Sequence, residues 1–368
     1  MNKRLIIFFA VFLLSACKGN PATKIPGNET KTIAFITVPA SNEIKIFDTT
    51  DNRTITSLET DFLPAEIAVS PDRRIILVTN TISGTISVFL RRDNTDFEKL
   101  NSIGSGSRPV GIAFNPDINI SQAYVAYEGE GKIMVLDTSN QNSSPKITKT
   151  IPLLDSRPKK IVVSKDGQKI FVTDTKNHRV IVILKTGENF SVVTTFQLPN
   201  SNNILPDGII IDDKNHLFVA NSSGSEIFAF DTLSGQLLKT ISLQDNNIVR
   251  QQFVGPKNLL FYKNGQIEKI YVTGFDSSVI SVIDNKNLSF IKNIPLFRNT
   301  SQDSYNPVGI SLVTSPSKNE LIYVTNASGR SISIIDPITD TLLRNISDVE
   351  SIALQKPLGE IVTIGAGK

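Results

Sequence analysis

The sequence predicts an all-β fold, a seven-bladed β-propeller of four-stranded antiparallel blades whose ring is closed by pairing of N- and C-terminal strands. Three observations predict it. A proline-led segment recurs six times at spacings of 45 to 51 residues, the period of a propeller or a similar repeat array. Each copy is followed by two apolar runs and a weaker third, which gives four short strands per unit, the make-up of a propeller blade. Beyond the first sixteen residues, no long stretch carries the 3.6-residue apolar period of a helix, so stacked helical repeats are excluded.

The first strand of each unit begins at Pro64-Ala-Glu-Ile67, Pro109-Val-Gly-Ile112, Pro158-Lys-Lys-Ile161, Pro206-Asp-Gly-Ile209, Pro256-Lys-Asn-Leu259 and Pro307-Val-Gly-Ile310. The second strands read LVTN (77–80), YVAY (124–127), FVTD (171–174), FVAN (218–221), YVTG (271–274) and YVTN (323–326). A turn rich in Gly, Ser and Asn leads to the third, in runs such as KIMVLD (132–137), VISVID (279–284) and SISIID (331–336). These runs are β-branched and aromatic, and alternation is visible in them. A weaker fourth strand follows, as in LLKTIS (237–242) and LLRNIS (342–347).

The two ends supply the seventh blade. Residues 33–58 contain only second, third and fourth strands, IAFITV, EIKIFD and RTITSL. Ser351-Ile-Ala-Leu354 fits the missing first strand, and its pairing with the N-terminal strands removes two exposed edges. The run Glu360-Ile-Val-Thr-Ile364 has no obvious slot. It either extends an edge or displaces IAFITV.

The chain begins with Lys3 and Arg4, an apolar run from Leu5 to Leu14, and then Ser15-Ala16-Cys17. That order is a secretory signal, and the apolar run is shorter than the ~20 residues that span a bilayer. A cysteine directly after Leu-Ser-Ala resembles the lipobox of bacterial lipoproteins. The resemblance implies cleavage before Cys17, its lipidation, and anchoring to a membrane of the cell envelope. Lys18 where an aspartate would signal inner-membrane retention implies the outer membrane in a two-membrane cell, with the domain either periplasmic or surface-exposed, and the outer leaflet of the plasma membrane in a one-membrane cell. The expected organisation is therefore residues 1–16 as signal peptide, 17–32 as lipidated cysteine and flexible tether, and 33–368 as a single propeller domain.

Composition narrows the function. Cys17 is the only cysteine, which excludes internal disulfides, thiolate metal clusters and covalent haem. Loss of residues 1–16 leaves 36 basic against 35 acidic side chains, a net charge of +1. With no single-sign patch, nucleic acid is not the expected partner. The absence of tryptophan weighs against quinoprotein propellers, and no cofactor is expected.

The recurring YVTN and its variants, followed by SISIID-type strands, resemble the YVTN-repeat β-propellers over about residues 33–364. The resemblance implies seven blades and an exported or surface protein, and it leaves function open, because such propellers include lactonase-like enzymes, surface proteins and binders. The stretch LPDGIIIDDKNHLFVAN (205–221) is also similar to the repeats of the NHL and gluconolactonase propellers.

Residues just after each proline sit near one mouth of the central channel. The candidate ligand-binding set there is Glu66, Lys159, Asp207, Lys257 and Asn258, with Glu350/Ser351 as the seventh-blade position. Similarity to the gluconolactonases implies a divalent cation held by acidic and asparagine oxygens, and Asp207 matches that family's acidic position. A hard cation wants several oxygen ligands, but lysines stand among them and the family's "PNG" counterpart is missing, so no metal is assigned. The lysines suit an anion equally, and the set also reads as solvated side chains paired across blades.

His178 reads as a turn residue and His216 as a blade-edge residue. No catalytic residue is assigned: there is no Gly-x-Ser-x-Gly elbow, phosphate loop or zinc spacing, and only two histidines limit acid–base chemistry near neutrality. The acids that end third strands (Asp48, Asp137, Asp231, Asp284, Asp336) read as turn-formers that bond their own backbone two residues on. The expected function is a monomeric, non-enzymatic binding or scaffold protein for an envelope protein or glycan. Loops 201–205, 245–255 and 297–306 would form its contact face, with Phe253 and Tyr305 as aromatic anchors. The competing reading is a metal-dependent lactonase-like hydrolase at the channel mouth; ordered self-association would instead mark a surface-layer component.

Overall fold

The four-strand units of the sequence fold as expected. The computed structural model describes residues 32–93, 95–104, 106–140, 142–199, 204–245, 253–297, 305–315, 319–346 and 356–364. They form seven four-stranded antiparallel sheets and almost no helix beyond the short 3-10 turn Pro39–Ser41. We number the blades from the N-terminus. Blades 2 to 7 each take four consecutive strands, and their inner strands are Pro64–Val69, Pro109–Phe114, Pro158–Val163, Pro206–Ile211, Pro256–Asn264 and Pro307–Thr314. No helix of the described residues is long and apolar enough to cross a membrane. Cys17 and the signal and tether segments lie outside the described residues, as do most of the three loops expected to form a contact face.

Blade 1 closes the ring. Its inner strand is Ile361–Ile364, paired antiparallel to Ile33–Val38, so that Ile33 faces Ile364 and Ile36 faces Ile361. This settles the slot left open for residues 360–364, and IAFITV stays the second strand. It also corrects the assignment of the closing strand to Ser351–Leu354, a segment outside the described residues. The physical signal was the proline phase. Pro357 follows Pro307 by one repeat, but Pro-Leu-Gly-Glu-Ile361 has one residue more between proline and isoleucine than the other six copies.

There is no single central core. Seven apolar clusters lie one between each pair of neighbouring blades. One joins Leu77 and Val88 of blade 2 to Ile112 and Val125 of blade 3, and another joins Phe47 of blade 1 to Tyr323 and Ile334 of blade 7. Second and third strands are buried on both faces, as in IILVTN (75–80) and IAFITV (33–38). Each such aliphatic side chain contributes about 1.5–3 kcal/mol on burial.

The YVTN-type motif is explained position by position. The aromatic residue packs between blades, and its hydroxyl can reach the next blade: Tyr271 Oη donates to Asp340 Oδ1 at 2.5 Å, and Tyr323 Oη donates to the Thr49 carbonyl at 3.2 Å. The final Asn or Asp ties the hairpin that follows. Asn326 Nδ2 bonds Ser331 and Ser333, and Asp174 holds Arg179 and the Arg157 amide. The threonine is buried against the inner strand. Every proline-led inner strand of blades 2 to 7 slips register directly after its proline, a bulge that frees the second residue beyond it. Where the motif has threonine, that hydroxyl takes the freed amide: Glu66 N to Thr79, Lys160 N to Thr173, and Asn258 N to Thr273, at 2.9–3.1 Å.

Candidate functional site

Counted around the ring, the second residue after each proline is Glu66, Gly111, Lys160, Gly208, Asn258 and Gly309, and Glu360 completes the circle in the closing blade. Its amide bonds Thr37 Oγ1 at 2.8 Å, the same device as in the other blades. Side chain and glycine alternate from blade 2 to blade 1, and the two glutamates meet side by side where the ring closes. The glycines are required by close approach, because a Cβ on Gly111 would lie 2.2 Å from the Lys159 carbonyl oxygen and one on Gly208 2.1 Å from that of Lys257. Neighbouring backbones therefore pack tightly, and four side chains converge on the axis.

Those four make one polar plug. Lys160 Nζ donates to Glu66 Oε2 and, at 3.0 Å, to Glu360 Oε1. Asn258 Nδ2 lies 2.9 Å from both Glu360 oxygens and from the Val308 carbonyl. Its orientation is fixed chemically, since a flipped amide would set its oxygen against three acceptors. Glu66, Lys160 and Glu360 line two stacked spaces. The outer is a cavity of about 350 Å³ at the mouth. The inner, about 170 Å³, is also lined by Asn258, Ile209 and Ile310.

A second tier surrounds the outer cavity. Lys159 Nζ donates to Asp207 Oδ2 at 2.6 Å. Asp207 is buried, and its other oxygen has no hydrogen-bond partner among the described residues. Such an atom costs free energy until something donates to it. Lys257 Nζ lies 4.8 Å from the centre of the Phe275 ring, a cation–π contact on the cavity wall.

The electrostatics are unequal across the plug. Burial pushes the Glu66 carboxyl up to about 7; Lys160 opposes this, and the Glu360 and Asp207 carboxylates add to it. Burial alone would raise Glu360 as well, but Lys160, Lys257 and the Asn258 amide outweigh it and hold that carboxyl below its ordinary value. Burial would lower Lys160, yet the carboxylates of Glu360, Glu66 and Asp207 outweigh it and push the ammonium well up. The plug thus contains a fixed cation, a fixed anion and one carboxylate able to exchange a proton near neutrality.

The structure brings Glu66, Lys159, Asp207, Lys257 and Asn258 to the same mouth. Two central members were missing from that set. Lys160 adjoins Lys159, and Thr173 thirteen residues on marks it as the axial one. Glu360 takes the place expected of Glu350/Ser351, because it precedes the true closing strand. Tyr305, expected as a solvent-facing anchor, instead packs against the core between blades 6 and 7. His216 Nδ1 lies 3.0 Å from Asp212 Oδ2, at the end of its strand remote from the mouth.

The resemblance to gluconolactonases implied a divalent cation, and the residues do not fit one. The two carboxylates that could share it both bind Lys160. Asn258 offers Glu360 its amide nitrogen, not its oxygen. Among the described residues no group of three or more His, Cys, Asp or Glu is placed to hold a metal.

A family model described as the SMP-30/gluconolactonase/LRE-like region matches residues 38–262, and the chain belongs to that family. No curated protein sequence matches it. Similar solved structures include a periplasmic gluconolactonase from Pseudomonas aeruginosa, with 14% identity and TM-score 0.68 over 92% of this chain and 100% of that one. Another is a proposed 6-phosphogluconolactonase from Bacteroides fragilis, with 14% identity and TM-score 0.69 over 91% and 98%. A third is the dihydro-heme d1 dehydrogenase NirN, with 15% identity and TM-score 0.60; the alignment covers 85% of this chain and 63% of that one. At these identities the likenesses establish the ring alone. The family match overturns the expectation of a non-enzymatic binding or scaffold protein. The physical reason is at the mouth, where a mismatched, solvated rim was expected and a cavity floored by a half-buried, mutually paired ionic plug is found.

Proposed function

We propose that this member of the SMP-30/gluconolactonase/LRE-like family is a hydrolase that opens a sugar-acid lactone at the channel mouth. The observation that carries the reading is Glu66: a half-buried carboxyl raised to about 7, in contact with an ammonium, on the floor of a cavity of about 350 Å³. A general base works best with a pKa near the operating pH, and a fixed cation stabilises the oxyanion that forms when water adds to a carbonyl.

The roles follow from the contacts. Glu66 takes a proton as water attacks the lactone carbonyl. Lys160 has three N–H donors, and two are used by Glu66 and Glu360; the third faces the developing oxyanion. Glu66 then returns the proton to the ring oxygen as the ester bond breaks. Glu360 keeps Lys160 charged and in place. The free oxygen of Asp207 accepts a substrate hydroxyl, and Lys257 and Lys159 favour a substrate bearing an anionic group. With Lys160 bonded to both carboxylates, no step is given to a metal.

A panel of aldonolactones and phosphorylated lactones, read by proton release, tests this. The wild type is expected to hydrolyse at least one faster than background, and Glu66→Gln the same one about 10²–10⁴-fold more slowly. Equal rates for the two would sink the assignment.

We also propose that the enzyme acts outside the cytoplasm on a lipid anchor at Cys17, which the Lys3–Cys17 pattern supports. Metabolic labelling with a fatty acid should mark the wild type and not Cys17→Ser; label on both would contradict the anchor.

A further inference from the structure

We infer that the Lys160 ammonium is the resident cation of this mouth, held between Glu66 and Glu360 where a divalent ion would otherwise sit, so that the site is built to work without a metal. The part of this that concerns catalysis rests on the lactonase reading; the part that concerns the cation does not.

The case begins with charge. Glu66, Glu360 and Asp207 bring three carboxylates to the mouth, and Lys159, Lys160 and Lys257 bring three ammoniums. The set is close to neutral, so a divalent ion would add uncompensated charge. Geometry points the same way. A calcium-sized ion needs six to eight oxygens, and a magnesium-sized one near-ideal octahedral geometry. Here one ammonium bridges the two axial carboxylates, and an amide N–H group caps both oxygens of Glu360. The cation is tethered by the chain itself. It enters from blade 4, fixed by the Thr173 bond to its own amide, while Glu66 and Glu360 come from the two adjacent blades 2 and 1.

A tethered charge has a consequence that a merely buried salt bridge lacks. Removing the ammonium leaves two carboxylates that had shared one nitrogen, with the neutral Asn258 amide bonded to Glu360 and the Lys257 charge acting on it as the remaining support. Two like charges that both reach the same nitrogen cannot both stay ionised cheaply once it is gone, and a free divalent cation relieves them. The lysine position and a metal position are then alternatives, and one substitution converts the first into the second.

The test uses the full chain and needs no substrate. Its metal content is measured by plasma mass spectrometry, and its Tm is followed with EDTA and with Ca²⁺, Mg²⁺, Mn²⁺ or Zn²⁺. The wild type is expected to carry no stoichiometric divalent ion and to show no Tm change with either treatment. Lys160→Met keeps the apolar stem and loses the charge. It is expected to bind one ion per chain, with a Tm rise of several degrees at saturating ion, and Lys160→Met/Glu360→Gln is expected to lose that rise. A wild-type chain that holds one ion per molecule and loses stability in EDTA overturns the inference. So does a folded Lys160→Met that answers to none of the four ions. If Lys160→Met does not fold, the wild-type metal content alone decides. An absence of lactonase activity would sink the functional reading and leave these results intact.

Discussion

Both faces of the ring carry recurring polar residues, and they do opposite kinds of work. On the face away from the cavity, third strands of five blades end in aspartate, and each carboxylate accepts the amide two residues on. Examples are Thr50 to Asp48, Ser139 to Asp137 and Ile338 to Asp336, at 2.8–2.9 Å. The same residue in phase performs the same local task, the Asx turn. At the mouth, the position in phase varies among four residue types: glycine in three blades, glutamate in two (Glu66 and Glu360), Lys160 in one and Asn258 in one. These side chains bond one another across the axis and not their own backbone. In a repeat protein, agreement between copies marks architecture, and disagreement at an equivalent position marks the site.

The largest effect that could break this comparison is on rate. Glu66→Gln should lower kcat/KM by about 10²–10⁴-fold, the usual worth of a positioned base, with the ring still folded by circular dichroism. Retained activity would reduce the mouth to architecture. Next in size, Gly208→Ala forces a Cβ to 2.1 Å from the Lys257 carbonyl, a backbone atom that cannot swing away. Overpacking of this kind costs about 1–3 kcal/mol, so thermal unfolding should show a Tm lower by several degrees, and steady-state kinetics a raised KM. On the opposite face, Asp336→Ala removes the acceptor for the Ile338 amide and the Thr339 hydroxyl. About 0.5–1.5 kcal/mol of stability should go, with kcat/KM unchanged; a tenfold loss of activity would mean the two faces are not separate.

The smallest predicted effect is the pH dependence of stability. The Glu66 carboxyl is raised from 4.5 to about 7, so the native state binds that proton more tightly than the unfolded chain does. Its contribution is present below about pH 4.5 and is lost as pH rises through about 7. Glu66→Gln lacks this loss. The Tm difference, variant minus wild type, should therefore be more positive at pH 8 than at pH 5, and calorimetry at the two pH values reads it. Glu360 works in the other direction: its lowered carboxyl stabilises above the ordinary carboxylate range and loses that contribution as pH falls through the folded-state value.

Six blades were legible because proline phase and YVTN-type strands are local patterns repeated in register. Closure was only half legible. The ring's need for a seventh inner strand was clear, but Ser351–Leu354 has the apolar look of a strand and the true one, Ile361–Ile364, follows a proline with one residue too many. The mouth was legible as a place and not as a constellation. Sequence places Lys159 and Lys160 side by side and cannot say which reaches the axis; the bulge after Pro158 and the bond to Thr173 decide it. That Lys160 meets Glu66 and Glu360 depends on closure of the ring, which brings together residues 94 and 200 positions apart. The metal implied by family resemblance failed for the same reason: spacing can place oxygens at the mouth, but not show that an ammonium already lies between them.

The most direct test is the pH profile of kcat/KM on the best lactone of the panel, for wild type beside Glu66→Gln. The account predicts a wild-type rate that rises through an apparent pKa of about 7 and a variant that is slow and has no such limb. A wild-type profile flat from pH 5 to 9, or the same limb in the variant, would contradict it.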